Sequence, residues 1–194
     1  LLCRSASGVT AEVLPLIDGV RLPDVRTRVH EYGGRAYAVL DGFVVFSDGF
    51  DSRVYRFDSK DPHRTVTPLT TLSKSRFGDF EIDEVRGLVY AVREDHSGVG
   101  EPVNTLVAIP LDGSAARDDS AIITVFEGTD FVASPVISPD GTKLAWLSWN
   151  QPEMPWTRSA LHVGALDFEG RIGVSTVLVD TPDVCVYEPR WTLD

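Results

Sequence analysis

The amino-acid sequence predicts an all-β fold, an incomplete β-propeller made of four-stranded antiparallel blades. Three observations lead to this prediction: a hairpin that recurs along the chain, strands that are apolar on both faces, and no convincing helical periodicity. Twelve prolines and sixteen glycines interrupt the apolar segments, which is typical of many short strands joined by turns.

The recurring unit is a hairpin of two short apolar strands. Its first copy spans residues 37–46, where Asp41 and Gly42 suit the positive φ angles that a tight hairpin turn requires. The pattern returns at three later places, residues 80–93, 135–147 and, cut short, 189–194. Turn glycines at 42, 87 and 141 give intervals of 45 and 54 residues, which fit a blade of about 40–50 residues with small insertions.

Each complete hairpin is followed by two further strands, so that every repeat supplies four. These strands are predicted at residues 53–57, 66–70, 104–109, 122–126, 160–166 and 175–179. The chain is therefore expected to hold about three and a half blades. Their predicted bounds are a blade tail at 1–20, blades at 27–70, 76–127 and 131–180, and a blade start at 185–194.

The strand segments favour a propeller over a two-sheet sandwich. A sheet with one solvated face alternates apolar and polar side chains. Residues 43–46 and 88–92 do not alternate, because nearly every position is apolar. Both faces of these strands are therefore expected to be buried, as happens when blades stack around an axis.

Composition argues against two classes of partner. The chain carries 29 acidic and 18 basic residues, a net charge of −11, whereas nucleic-acid binding requires a basic surface. No apolar run approaches the roughly 18 residues that span a membrane, so neither nucleic acid nor membrane is expected as a partner. Cys3 and Cys185 have no metal-binding spacing and are expected to be reduced, buried thiols of a cytoplasmic protein.

Several segments, in order along about the whole chain, resemble one peptidase family. The most specific are residues 29–34, Val-His-Glu-Tyr-Gly-Gly, and residues 152–156, Pro-Glu-Met-Pro-Trp. Weaker similarity covers residues 45–48, 51–55, 92–96, 103–106 and 134–141. Together they resemble the propeller domain of bacterial dipeptidyl aminopeptidases and acylaminoacyl peptidases, a branch of the prolyl oligopeptidase family. The sequence departs from that pattern at Arg35, Asn150, Gln151 and Thr157.

The resemblance implies a parent enzyme with two domains. A propeller covers an α/β-hydrolase domain, whose Ser-His-Asp triad cleaves short peptides or acylated N-termini. The chain contains no Gly-x-Ser-x-Gly nucleophile motif, so we expect the catalytic domain to be absent here and to follow in a longer protein. The expected partners are that C-terminal hydrolase domain and a peptide substrate. No catalytic residue is expected in this chain.

Four residues are candidates for a surface that faces the substrate or the hydrolase domain: His30, Glu31, Tyr32 and Trp156. In the functional interpretation, His30 or Glu31 lies on a loop toward the hydrolase, where a carboxylate meets a charged amine of the substrate. In the structural interpretation, Tyr32 and the two glycines after it form a tight corner that holds His30 by hydrogen bonds. Trp156 lies on a loop and fits either a domain contact or a ligand.

No metal and no other cofactor are predicted. Residues 94–96, Glu-Asp-His, resemble a ligand cluster but lack the spacing of a zinc or EF-hand site, so they are interpreted as a solvated loop. Asp48 and Asp51 are interpreted as turn residues that cap their own backbone.

The sequence allows three functional interpretations to be compared. The first is a propeller that gates or covers the active site of a cytoplasmic serine peptidase. The second is a stand-alone TolB-like propeller that binds a partner, since such modules share the Ser-Pro-Asp-Gly hairpin. The third, a lactonase-type propeller with a central metal, lacks a ring of carboxylates at equivalent blade positions. Because terminal blades would leave apolar faces and strand edges uncovered, self-association of this fragment is also expected.

Overall fold

The computed structural model describes residues 2–4, 8, 10–12, 15–63 and 65–192, with backbone alone for 2–4 and 10–12. The described strands are β1 Leu2–Arg4, β2 Thr10–Glu12, β3 Tyr37–Leu40, β4 Phe43–Ser47, β5 Val54–Asp58, β6 Val66–Pro68, β7 Ser75–Asp83, β8 Leu88–Asp95, β9 Val103–Pro110, β10 Ile123–Phe126, β11 Phe131–Ile137, β12 Lys143–Trp149, β13 Ala160–Leu166 and β14 Ile172–Val179. Two short 3-10 helices, Ser114–Ala116 and Asp119–Ala121, lie between β9 and β10, where no helix was expected.

Among the described residues, three antiparallel sheets of four strands each confirm the prediction of an all-β incomplete propeller. In each sheet the strands are paired in chain order: β3–β6 form the first sheet, β7–β10 the second and β11–β14 the third. The first strands of successive sheets lie next to one another, since β7 contacts both β3 and β11. This is the arrangement of blades whose inner strands surround a common axis. The β1–β2 pair is separate from these sheets.

The first hairpin turn has the predicted conformation. Asp41 and Gly42 have φ angles of 46° and 87°, and they join a register in which Leu40 is opposite Phe43. Positive φ at both loop positions gives the turn the twist of the strands that it connects. The sequence signal was therefore sufficient to predict this hairpin.

The second sheet is buried on both faces, which explains why its strands do not alternate. Val89, Ala91 and Val107 pack toward the first sheet in one apolar cluster. Tyr90 and Val92 point the other way and pack against Trp146 of the third sheet. A face-to-face stack of blades places apolar side chains on both sides of each inner sheet, as the sequence predicted.

The inner strands share a bulge that the sequence pattern did not reveal. Asp79 in β7 and Ser134 in β11 have φ angles of 54° and 53° at positions where the pairing register shifts. Glu188 has a φ angle of 43° and follows Ser134 by 54 residues, close to the interval of 55 between the first two. Glu188 therefore repeats the positive φ angle of the two bulges at about the same interval, although residues 185–192 form no strand.

One expectation about the C-terminal segment stays a prediction and one is wrong. The start of a further blade at 185–194 stays a prediction, since residues 185–192 form no strand and residues 193–194 lie outside the described residues. The indole Nε1 of Trp191 nevertheless donates to the Val136 carbonyl of β11, at 3.0 Å, which holds this segment beside the third sheet. Cys185 is a free thiol but is exposed rather than buried, and the side chain of Cys3 lies outside the described residues.

Candidate functional site

A pocket of about 640 Å³ lies between the second and third sheets. It opens at the end where β8 finishes and β9 and β11 begin, which we call the pocket end. Loops of successive blades meet here because alternate connections of an up-and-down sheet lie at the same edge. Its lining includes His30, Glu31, Glu94, His96, Glu101, Asn104, Asp130, Phe131 and Gln151.

His30 is held at the base of this pocket by its backbone and its ring. It has a φ angle of 55°, and its backbone N–H donates to Glu94 Oε2 at 2.6 Å. The ring packs edge-on against Phe131 and Trp149, each 5.4 Å away between ring centroids. Burial lowers the pKa of His30, against an opposing effect of Glu94, so the ring is neutral near pH 7.

Glu31 and Glu94 share one guanidinium. Arg76 Nη1 lies 2.7 Å from Glu31 Oε1 and 3.0 Å from Glu94 Oε1, and Glu31 also pairs with Arg28 at 3.1 Å. Arg76 lowers the pKa of Glu31, so this carboxylate is ionised but already paired. His96 Nε2 contacts Glu94 as well, at 2.5 Å. The acidic residue that the sequence singled out is thus neutralised by its own neighbours.

The opposite wall of the pocket is built by the turn that precedes β11. Asp130 Oδ2 accepts from the backbone N–H of Gln151, and the side-chain oxygen of Asn150 accepts from the backbone N–H of Asp130. The Nδ2 of buried Asn104 donates to the Asp130 carbonyl at 2.8 Å. These bonds connect β9, β11 and the loop after β12. Asn150 and Gln151, which depart from the family pattern, therefore have a structural role in this loop.

Tyr32 and Trp156 are not brought into the pocket. Tyr32 is 61% exposed, next to the His30 ring at a centroid distance of 6.1 Å. Trp156 is 56% exposed on the loop between β12 and β13, which also lies at the pocket end. Both aromatic rings are free to contact another domain or a ligand. The structure joins His30 and Glu31 in one site and leaves the other two candidates outside it.

A second pocket, of about 400 Å³, contains a serine and a histidine in contact. Ser148 Oγ lies 2.8 Å from His162 Nε2, and the imidazole stacks on Trp146 at 5.1 Å. Ser148 and His162 are 3% and 7% exposed, and they occupy neighbouring regular strands rather than a sharp nucleophile turn. Asp180, which also lines this pocket, pairs with Arg158 at 2.7 Å. The pair is a buried polar link of the third sheet.

Glu94 and Asp48 are more buried than their sequence interpretation implies. Glu94 is 2% exposed and ion-paired, so the predicted solvated loop begins only after it. Asp48 is fully buried and pairs with Arg21 at 2.7 Å. Burial opposes ionisation of Asp48, but Arg21 and the backbone N–H of Asp24 outweigh it and lower its pKa. Asp51 does cap its turn, through the backbone N–H of Arg53.

Metal-ligating side chains do not converge within the part of the chain that the structure describes. No group of three or more His, Cys, Asp or Glu side chains there is placed to hold an ion. Likewise, no helix among the described residues is long and apolar enough to span a membrane.

Comparison with solved structures shows that the chain is similar to part of known peptidases. Puromycin hydrolase matches 94% of the chain at 33% identity with a TM-score of 0.83, and its S511A mutant, crystallised with PGG, matches with a TM-score of 0.84. A puromycin-hydrolyzing peptidase of Mycobacterium tuberculosis matches 90% of the chain at 36% identity with a TM-score of 0.77. No family model and no curated protein sequence matches.

These matches confirm the resemblance that the sequence motifs predicted. The chain is an incomplete β-propeller that resembles the N-terminal domain of peptidases of the prolyl oligopeptidase family. It spans only 28–29% of the length of the matched peptidases. The activity, substrates and partners of the whole protein are therefore taken up as proposals.

The sequence alone missed most of the pocket. Glu101 and Asn104 belong to the second sheet's repeat, and Asp130 and Phe131 lie at the start of the next; only Asn104 lies in a segment with family similarity, residues 103–106. One signal was available: each of these residues lies just before or at the start of β9 or of β11. Aligning the repeats by their turn glycines would have placed those ends on one face of the propeller.

Proposed function

We propose that this chain is the cover of a cytoplasmic serine peptidase, a propeller that restricts the active site to short peptides or acylated N-termini. The observation that carries the proposal is the match to puromycin hydrolase over 94% of the chain at 33% identity. A propeller of stacked blades is rigid, so it excludes folded proteins by size while small ligands pass through gaps in its rim.

The pocket end is the surface that we assign to the hydrolase domain and the substrate. His30 and Glu31 lie here in a strained loop, with φ angles of 55° and 66°, and Tyr32 and Trp156 expose their rings nearby. Strained backbone persists where the surrounding structure enforces it, and it is concentrated at functional sites. Exposed aromatic rings are typical of surfaces that contact a partner.

The gating proposal is tested with the full-length protein that contains this chain. Its reading frame should contain a Gly-x-Ser-x-Gly motif between a strand and a helix, and substitution of that serine should abolish turnover. The protein should hydrolyse di- and tripeptidyl nitroanilides and leave casein intact. Cleavage of casein as fast as of tripeptides would contradict gating.

Dipeptidyl aminopeptidase and acylaminoacyl peptidase activities are distinguished by the same preparation. The first requires a free N-terminus and the second an acylated one, so paired nitroanilides with and without an N-acetyl group separate them.

A stand-alone TolB-like binding module is the second candidate. The observation that favours it is a pocket built entirely from residues of this chain. A reading frame without any hydrolase domain would support this candidate and eliminate the first.

We also propose that the isolated fragment self-associates through the uncovered apolar surfaces of its first and third sheets. Val174, Val177 and Leu178 of β14 are 78%, 49% and 59% exposed, and Tyr37 and Val39 of β3 are 45% and 54% exposed. Apolar patches of this kind are uncommon on monomers. Light scattering at micromolar concentration should give a dimer or a larger species. A monomer that melts cooperatively would contradict this expectation.

A further inference from the structure

A pocket of about 240 Å³ lies between the first and second sheets, at the hairpin turns opposite the pocket end. Pockets that hold drug-sized ligands measure about 300–1,000 Å³, so this one suits a smaller molecule. We propose that it binds a free α-amino acid with an apolar side chain, whose carboxylate is held by Arg56. Binding is a property of this chain alone. As a site for a product of peptide cleavage, the pocket rests on the peptidase function proposed above.

Arg56 supplies a cation that has no partner. Its guanidinium lies over the Phe43 ring, 5.6 Å from the ring centroid. The side chain is half-buried, and its Nε is buried without a hydrogen-bond partner among the described residues. Arg56 forms no ion pair with those residues either, although its guanidinium carries five N–H donors. A buried donor without an acceptor is costly to the fold, and an entering carboxylate removes this cost through paired N–H···O bonds.

Three carboxylates of the pocket share one ammonium. Lys60 Nζ lies 2.6 Å from Asp41 Oδ2, and this hydrogen bond, together with the charges of Asp58 and Glu84, raises the pKa of Lys60. Asp58 uses Oδ1 for the backbone N–H of Lys60. Neither Asp58 nor Glu84 forms an ion pair within the part of the chain that the structure describes. The pocket can therefore accommodate the positive charge of a second ammonium.

The remaining lining of the pocket is apolar. Phe43 and Ile82 pack on the apolar cluster between the first two sheets, and Leu111, a member of that cluster, is 9% exposed. Leu40 completes this lining and is 40% exposed. Burial of an aliphatic side chain against such groups is favourable.

The three kinds of lining group together match one class of ligand. A simple anion would satisfy Arg56 but would meet three carboxylates, and a simple amine would leave Arg56 unpaired. An apolar α-amino acid carries a carboxylate for Arg56, an ammonium for Asp58 and Glu84, and a side chain for the apolar lining. Its size also suits the volume of the pocket.

Titration calorimetry of the protein tests the two charges with three probes: leucine, leucinamide and N-acetyl-leucine. We expect leucine to bind. Leucinamide should bind at least tenfold more weakly, because it lacks the carboxylate that Arg56 holds. N-acetyl-leucine should also bind at least tenfold more weakly, because it lacks the ammonium and would bring a net negative charge to the carboxylates.

Two variants test the named residues. Arg56→Gln should weaken leucine binding at least tenfold and leave the melting temperature close to that of the wild type, because Arg56 donates no hydrogen bond that would be lost. Glu84→Gln, on an exposed turn, should weaken it severalfold. Arg171→Gln, at an exposed turn of the third sheet, is the control and should leave leucine binding unchanged. If Arg56→Gln melts several degrees lower, Glu84→Gln and the two leucine derivatives decide.

The proposal is overturned if leucine does not bind, or if leucine and either derivative bind equally. It is also overturned if a correctly folded Arg56→Gln variant binds leucine as the wild type does. None of these measurements uses a hydrolase domain. The gating function therefore fails or stands separately, on the reading frame and the casein assay.

Discussion

Replacing Asp79 tests whether one carboxylate joins the inner strands of all three sheets. Its Oδ1 accepts from the Arg35 backbone N–H at 2.8 Å, just before β3, and its Oδ2 accepts from the Ser134 N–H of β11 at 2.9 Å. The side chain is 13% exposed, so water replaces these bonds only in part. Asp79→Ala leaves both donors without the carboxylate.

The expected loss is worked out from these contacts. Two bonds to a carboxylate, at about 1.5 kcal/mol each, give about 3 kcal/mol. The φ angle of 54° adds about 1 kcal/mol, because alanine tolerates this region less well than aspartate. A chain of this size loses about 2–4 °C of melting temperature per kcal/mol, so Asp79→Ala should melt roughly 8–16 °C lower.

Differential scanning calorimetry of three variants checks this value. Asp79→Asn keeps one acceptor oxygen and tolerates positive φ, so it should lose about half as much as Asp79→Ala. Asp112→Ala is the control, since that exposed carboxylate caps only its own turn at Ser114, and it should cost less than about 3 °C. If Asp79→Ala and the control Asp112→Ala had the same melting temperature, the role of Asp79 as a bridge between the sheets would be refuted.

Three further predictions concern acid sensitivity, metals and catalysis. Burial lowers the pKa of His162, so the unfolded chain binds a proton at this histidine more readily than the folded chain, and the stability of the fold should fall as the pH drops through about 6.5. The decrease in melting temperature between pH 7 and pH 5.5 should therefore be smaller in His162→Gln than in the wild type. His63→Gln, at an exposed site, is the control and should show the same decrease as the wild type. Excess EDTA should leave the melting temperature unchanged, and a fall of several degrees that Ca²⁺ or Zn²⁺ restores would contradict the metal-free prediction. The isolated chain should release no nitrophenol from esters and no nitroaniline from aminoacyl substrates; turnover blocked by a serine-directed inhibitor would contradict the view that catalysis lies elsewhere.

The sequence by itself determined the fold class and the family resemblance. The Asp41-Gly42 turn and the repeated hairpins are local signals, because turn chemistry and strand pairing act between residues that are near one another in the chain. The apolar runs 43–46 and 88–92 also predicted burial on both faces, because a strand that is covered on both faces needs an apolar side chain at nearly every position. Such features need no knowledge of distant contacts.

Only the tertiary structure decided the site. Glu31 is prominent in the sequence, yet Arg76, 45 residues away, neutralises it. Glu101, Asn104 and Asp130 were not candidates in the sequence, and they line one pocket because β9 and β11 begin at the same end of adjacent sheets. The charge and hydrogen bonding of a pocket depend on which side chains meet across blades, and the packing of one sheet on the next sets that arrangement.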